Sequence, residues 1–202
     1  MSTSQNGWPA AANLRTRLIT PVKGVSFRIV DNANVATVFT YLVQQYDKRV
    51  EPVKGPVADD WGFAYRANVN SPNELSNHAS GTAIDINATK HPNAVATSKT
   101  FTTKQVAAVH AILAELDHVV RWGGDYTHTV DAMHFEINVP PGGLAAIGKK
   151  LRTPKPKTRG KNVDAAIAAL KKAKTATTKA NQPVKHKRVV NALAWLKKIT
   201  AK

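Results

Sequence analysis

Apolar residues recur at helical spacing in one segment near the amino end of the chain. Five of them share one face of the helix that this spacing predicts: Val35, Val38, Phe39, Leu42 and Tyr46. The helix follows a short strand predicted over residues 26–30, and Asp31 or Asn32 can cap its first turn. The pattern indicates a core helix packed beside a strand.

The other predicted elements alternate irregularly. Residues 61–66 are predicted as a strand, and residues 71–81, rich in Ser, Asn and Pro, as a loop. A second helix is predicted to start near Thr102 or Thr103, with one apolar face: Val106, Val109, Leu113 and Leu116. Because no strand-helix-strand rhythm is visible, we expect an α+β fold with a small, largely antiparallel sheet and flanking helices.

Two short segments alternate between apolar and polar residues, as strands with one buried face do. In residues 82–87 the isoleucines lie on one side and Ala83 and Asp85 on the other. In residues 132–139 the apolar residues lie on one side and His134 on the other. If the apolar faces share the core, Asp85 and His134 point into one cleft, and the small Ala83 leaves room for a ligand.

Charge divides the chain unevenly. The 202 residues carry a net charge of +16, yet residues 1–150 hold 14 Lys and Arg against 12 Asp and Glu. Residues 151–202 hold the other 15 basic residues and one acid. We therefore predict a near-neutral domain over residues 1–150, a Pro- and Lys-rich linker over residues 151–161 and a cationic module over residues 162–202.

The cationic module is predicted to be a hairpin of two helices. Asn162 can cap the first helix, and the second has a row of apolar residues: Val189, Ala192, Leu193, Leu196 and Ile199. Lysines cover the opposite faces, so the module should attract polyanions. Nucleic acid is one polyanion that it could bind, and a merely solubilising role is the alternative to binding.

Three features that the sequence lacks limit the kinds of metal site and the location that we expect. The chain has no cysteine, which excludes disulfides, thiol nucleophiles and cysteine-rich zinc sites, so a transition metal must be held by His, Asp and Glu. No apolar run is long enough to span a membrane. Residues 1–7 are polar and uncharged, unlike a secretory signal, so we expect the protein to accumulate in the cytoplasm of the cell that makes it.

Four polar residues are candidates for a catalytic metal site. His78, Asp85 and His134 offer two imidazoles and a carboxylate, a zinc ligand set that leaves a fourth position open for water. Asp131, three residues before His134, is the candidate general base. The alternative is a hydrogen-bonded polar cluster at the edge of a sheet.

Two segments resemble a known family. Residues 76–85, Ser-Asn-His-Ala-Ser-Gly-Thr-Ala-Ile-Asp, resemble the S-x-H-x-x-G-x-A-x-D signature of the D-alanyl-D-alanine carboxypeptidase-like zinc peptidases. This group includes the L-alanyl-D-glutamate peptidases that serve as bacteriophage endolysins. Residues 131–135 resemble the second motif, acid-x-x-His, and residues 122–125 the segment before it. The resemblance extends over about residues 6–139.

The resemblance implies a Hedgehog/DD-peptidase-like fold with Zn²⁺ bound by His78, Asp85 and His134. It implies that Asp131 is the general base and that Arg66 steadies the substrate or its oxyanion, although a surface salt bridge is an alternative for Arg66.

Four further residues have open interpretations. Glu136 is an alternative to Asp131 as the general base, or else a group that supports the ligands or is solvated. His128 could replace one of the three ligands, but it matches no motif position. Gly81 is expected to allow the tight turn before the strand, and Trp122 either lines the substrate groove or fills the core.

The implied function is a zinc-dependent peptidoglycan peptidase, a phage endolysin that hydrolyses a peptide bond in the stem peptide or cross-link and so lyses the host. The bond is of the L-Ala-D-Glu or D-Ala-D-Ala type. We expect a monomer that reaches the wall after membrane permeabilisation, with its basic tail on anionic wall polymers or anionic lipid. The rival functions are nucleic-acid binding through the tail and a wall-binding module without catalysis.

Overall fold

The chain mixes short antiparallel strands with helices. A computed structural model describes residues 2–55, 57–153, 161–179, 187 and 189–194. The chain divides into two compact units, Met1–Thr153 and Pro154–Lys202. None of the helices in the described ranges has the length and apolar character needed to cross a membrane.

The first unit contains seven strands and four α-helices among its described residues. In chain order they are β1 (Thr16–Val22), β2 (Val25–Val30), α1 (Ala33–Arg49), β3 (Ala67–Asn68), β4 (Ser71–Leu75), β5 (Ala83–Asp85), α2 (Thr97–Thr100), α3 (Thr103–Glu115), β6 (Val120–Trp122), β7 (His134–Ile137) and α4 (Ala145–Arg152). Three 3₁₀ helices span Asn77–Ser80, Gly123–Asp125 and Pro141–Leu144. The predicted α+β architecture is confirmed.

Helix α1 supplies one side of the core. The predicted apolar face is buried, and Asn32 caps the helix by accepting hydrogen bonds from the backbone nitrogens of Asn34 and Val35. The β1–β2 hairpin packs against this helix with Phe27 and Ile29 fully buried. Helix α3 begins at Thr103 with a capping box between Thr102 and Gln105, as predicted from its start signal.

The predicted strands near the candidate site form a three-stranded antiparallel sheet. Strand β7 lies in its centre, between β5 and β6. Ile84 and Phe135 face the core, whereas Asp85 lies opposite His134 on the other face. The period-two prediction is therefore confirmed, including the pairing of the two polar faces.

Two predictions about local structure are wrong. Residues 61–66 are not a strand. Trp61 forms an isolated bridge with Asp85, and the backbone nitrogens of Phe63 and Ala64 donate to two other segments, at Arg28 and His78, so no continuous ladder forms. Residues 71–81 are not a loop, since they contain β4 and a 3₁₀ helix. Strand β4 pairs with β3 in an exposed hairpin, so its sequence needs no apolar face.

Helix α4 passes the predicted boundary at residue 150. Leu151 packs against the core, and the Arg152 guanidinium donates to Asn34 Oδ1 at 2.9 Å. The first unit therefore ends at Thr153.

The second unit is described only in part. Helix α5 spans Lys161–Lys179, so it begins one residue before the predicted cap Asn162. Residues 187 and 189–194 are helical. Residues 154–160 of the predicted linker, and Leu196 and Ile199 of the predicted second helix, lie outside the described residues.

Candidate metal centre

The register of the central sheet brings two of the candidate ligands together. Asp85 on β5 and His134 on β7 are directly opposite each other. Side chains in that relation lie on the same face, with Cβ atoms about 4.5–5.5 Å apart. The Asp85 Oδ1 to His134 Nδ1 distance is 3.0 Å.

The third candidate ligand, His78, comes from the 3₁₀ helix before β5. Ser76 caps that helix by accepting a hydrogen bond from the His78 backbone nitrogen, and Gly81 ends it in the left-handed conformation with φ of 63°. A Cβ on Gly81 would overlap the backbone of Val30. The expectation that Gly81 allows a tight turn before β5 is therefore confirmed.

The three ligand atoms converge. His78 Nε2 lies 3.1 Å from His134 Nδ1 and 3.3 Å from Asp85 Oδ2. A tetrahedral zinc ion with bonds of about 2.0–2.1 Å holds its ligand atoms about 3.3 Å apart. The distances join the two imidazole nitrogens and both oxygens of the Asp85 carboxylate, and each is close to the separation that such an ion requires.

The second nitrogen of each imidazole fixes the direction of its free lone pair. His78 Nδ1 lies 2.7 Å from the carbonyl oxygen of Gly62, to which it can only donate. His134 Nε2 lies 3.1 Å from Glu136 Oε2 and donates in the same way. When both imidazoles are neutral, the lone pairs of His78 Nε2 and His134 Nδ1 face Asp85, so three acceptors meet, which is the chemistry of a cation site.

Electrostatics at the cluster favour positive charge. Burial alone would raise the pKa of Asp85, but His78 and His134 outweigh it and hold that pKa well below its usual value. Burial opposes a charge on His134, yet its hydrogen bonds to Asp85 and Glu136 raise its pKa to about 10. A proton and a metal ion therefore compete for the same nitrogen.

Glu136 stands behind His134. Only 3% of its surface is exposed, and it accepts hydrogen bonds from Asn77, Arg121 and Tyr126 as well as His134. Burial would raise its pKa, but His134, Asn77 and Arg121 lower it to about 2. Glu136 is a supporting residue of His134, and the solvated alternative is wrong.

Asp131 lies next to the ligands at the end of a backbone turn. Its carbonyl oxygen accepts from the His134 backbone nitrogen at 3.0 Å. Its Oδ1 is buried, and Asn93 lies within hydrogen-bonding reach of the carboxyl group. Burial raises the pKa of Asp131, an effect that His134 opposes and Asp85 reinforces. A buried acceptor with a raised pKa is suited to receive a proton.

A cavity of about 660 Å³ opens beside the ligands. Its lining includes His78, His134, Asp131, Arg66 and His128. The Arg66 guanidinium is exposed, donates to the Ala67 carbonyl oxygen at 3.2 Å and forms no ion pair within the described ranges. His128 is exposed on the wall and is not one of the three converging residues.

Trp122 does not line the cavity. Its side chain is buried, its indole nitrogen donates to the Ala132 carbonyl oxygen, and its ring stacks near Phe135. Of the two interpretations of Trp122, core filling is therefore the correct one.

The first residues of the chain reinforce the site, which the sequence analysis missed. Asn6 Nδ2 donates to Thr82 Oγ1 and to the Ile137 carbonyl oxygen, and the Asn6 backbone nitrogen donates to Asn77 Oδ1. Asn77 in turn donates to Glu136. No local pattern reveals these contacts, because the partners lie 71 to 131 residues away.

Comparison with known proteins agrees with this geometry. Residues 69–137 match a family model described as D-alanyl-D-alanine carboxypeptidase. The matched segment contains His78, Asp85, Asp131 and His134, and it leaves out Arg66. No curated protein and no solved structure matches the chain. The family match, together with the buried group of two histidines and one aspartate, supports a metallopeptidase that acts on peptidoglycan.

Proposed function

We propose that the protein is a zinc peptidase that hydrolyses a peptide bond in the stem peptide or cross-link of peptidoglycan. The observation that carries the proposal is the convergence of His78 Nε2, His134 Nδ1 and the Asp85 carboxylate in one buried group. Zn²⁺ held by these residues would supply a Lewis acid for the scissile carbonyl and lower the pKa of water to about 7.

Asp131 moves the proton in this reaction. Its carboxylate, which lines the cavity beside the ligands, accepts a proton from the attacking water while the oxygen of that water bonds to the carbonyl carbon. The carbon–nitrogen bond then breaks, and Asp131 returns the proton to the leaving amine. The raised pKa of Asp131 suits both transfers, because it brings the carboxyl closer to neutral pH.

Arg66 holds the substrate. Its exposed guanidinium lines the cavity and has donors that no described carboxylate occupies. It can therefore donate to a substrate carboxylate or to the oxygen that gains charge in the reaction.

The biological role we propose is that of a phage endolysin that brings about host lysis. The protein is a monomer that accumulates in the host cytoplasm and meets the wall after membrane permeabilisation. Its basic tail binds anionic wall polymers or anionic lipid, which is supported by 15 basic residues against one acid in residues 151–202.

Release of free amino groups from purified peptidoglycan tests the proposal. We expect the zinc-loaded wild type to release them, chelation to stop the release, and Asp131→Ala to lower the rate by about 10²-fold or more. Asp125→Ala is the matched control, because Asp125 is an exposed aspartate on the cavity wall that pairs with His110.

Equal rates for the wild type and Asp131→Ala contradict the proposed base. A protein that binds walls but releases nothing is the non-catalytic module. Duplex DNA binding that persists above physiological salt, without hydrolysis, identifies a nucleic-acid-binding protein instead.

A further inference from the structure

Trp61 is paired with a ligand of the candidate metal centre. The Trp61 backbone nitrogen donates to the Asp85 carbonyl oxygen at 3.0 Å, and the Asp85 nitrogen donates to the Trp61 carbonyl oxygen at 2.9 Å. This is an antiparallel bridge, in which the two opposite side chains lie on the same face. The indole therefore projects from the same face of the sheet as the Asp85 carboxylate.

The bridge adds Trp61 to the face of the sheet that carries Asp85 and His134. Asp85 is opposite Trp61 on one side and His134 on the other, so the three side chains cross the sheet in one line. The neighbouring line carries Ala83, Glu136 and Arg121. Trp61 thus stands at one edge of this polar face, and Arg121 stands at the opposite edge on β6.

The two edges differ in chemistry. Trp61 is 52% exposed, although Trp8 and Trp122 are buried. The Arg121 side chain is 51% exposed and is anchored by Glu136. Three strand spacings of about 4.8 Å separate the edges, or about 14 Å, which is the length of about four extended residues. The cavity lining includes Arg121 but not Trp61, so a peptide lying across the metal centre would meet the guanidinium inside the cavity and the indole outside it.

The position of Trp61 distinguishes it from an ordinary exposed apolar residue. Single exposed apolar side chains are common on protein surfaces, and Leu18 on β1 is another in this chain. Only Trp61, among the large apolar residues exposed in the described part of the chain, is paired with a candidate metal ligand. Its Cβ lies about 5 Å from that of Asp85 by the geometry of the bridge, within reach of a substrate residue next to the scissile bond.

We propose that Trp61 forms the substrate-binding surface for an apolar side chain next to the scissile bond, on the side of the metal centre away from Arg121. The inference rests on the proposed function, and in a stem peptide the apolar side chain is the methyl group of an alanine. A flat indole buries such a methyl group without requiring a hydrogen bond, so it selects alanine over glycine or a charged residue.

Kinetics on a soluble stem peptide test the contact. We expect Trp61→Ala to raise KM about tenfold with kcat nearly unchanged, because Trp61 holds the substrate and transfers no proton. Trp61→Phe should keep most of the affinity, and Leu18→Ala, which removes exposed apolar surface far along the chain, should change nothing.

A peptide series sharpens the test. Each alanine of the peptide is replaced in turn by glycine, and one of these replacements should lower kcat/KM of the wild type about fourfold while leaving that of Trp61→Ala unaffected. Equal losses in both proteins at every position, or an unchanged KM for Trp61→Ala, would overturn the inference.

Fluorescence gives a readout that does not depend on turnover. In a chain carrying Trp195→Phe and Asp131→Ala, Trp61 is the exposed tryptophan, since Trp8 and Trp122 are buried. We expect saturating peptide to protect its emission from acrylamide, and continued quenching would contradict the contact. A wild type that hydrolyses no peptide, alongside protected fluorescence, refutes the proposed function and leaves the contact standing.

Discussion

Glu136 Oε2 lies 3.1 Å from His134 Nε2, two residues away on the same strand, and this contact determines which nitrogen of His134 faces the ligand cluster. Successive residues of a flat strand face opposite sides, so residues two apart share a face and can meet. The carboxylate holds the imidazole so that Nδ1 points toward Asp85 at 3.0 Å. Metal affinity should therefore depend on a residue that does not itself join the three converging ligands.

Glu136→Gln should weaken zinc binding by about 10- to 100-fold, because the amide removes the negative charge that supports His134. Competition with a chromophoric chelator measures the affinity. Glu74→Gln, a change at an exposed glutamate on β4, is the control and should bind zinc as the wild type does. Equal affinity for both variants would show that Glu136 does not support the ligand.

Gly81→Ala should lower the free energy of unfolding by about 2 kcal/mol or more. The new Cβ would occupy a left-handed conformation and overlap the Val30 backbone. Urea unfolding measures the change, and Gly142→Ala provides the contrast because no atom lies within 4 Å of the added Cβ there. A loss below about 0.5 kcal/mol for Gly81→Ala would mean that the chain relaxes around the turn.

Glu51 should make stability depend on acid pH. Burial alone would raise the pKa of Glu51, but hydrogen bonds from His91 and Asn87 outweigh it and lower that pKa in the folded protein. The stabilisation is present above the unfolded value of about 4.3 and is lost as the pH falls through the folded pKa.

Unfolding of wild type and Glu51→Gln at about pH 6 and about pH 3 measures this dependence. The wild type should be the more stable protein at the higher pH, and the difference should shrink at the lower pH. A constant difference across the range would show that the ionised form of Glu51 contributes nothing.

Truncation after Thr153 should separate wall adsorption from hydrolysis. It removes all but one of the 15 basic residues of residues 151–202, so adsorption should fall and lose its salt dependence. Hydrolysis of a soluble stem peptide should stay close to that of the full chain, because the first unit ends at Thr153. Sedimentation with purified walls at several salt concentrations measures the adsorption.

Truncation after Lys150 is the comparison. It deletes Leu151 from the core and the Arg152 contact with Asn34, so this shorter protein should unfold at lower urea. If the protein truncated after Thr153 also fails to hydrolyse the soluble stem peptide, the second unit takes part in hydrolysis.

Regular patterns made part of the fold predictable. Apolar residues repeat at helical spacing along α1 and at every second residue around Asp85 and His134, so the sequence predicts which side of each element is buried. Strand β4 shows no such repeat, because Ser71–Leu75 lies in an exposed two-stranded sheet where no apolar face is required.

The candidate site was predictable only as far as its motifs extend. The face of Glu136 follows from the alternation, but its burial depends on Asn77, Arg121 and Tyr126, which come from three other segments. The sequence predicts a strand over residues 61–66, but it does not reveal the single bridge from Trp61 to Asp85, because the partner lies 24 positions away.

The contacts of Asn6 impose an order on assembly. Asn6 leaves the ribosome before Ile137, whose carbonyl group it binds, because Ile137 is synthesised 131 residues later. Closing so long a loop is slow compared with forming a local hairpin such as β1–β2. The amino-terminal segment cannot dock until β7 has been synthesised, so a nascent chain acquires its complete ligand environment only after residue 137 has emerged from the ribosome.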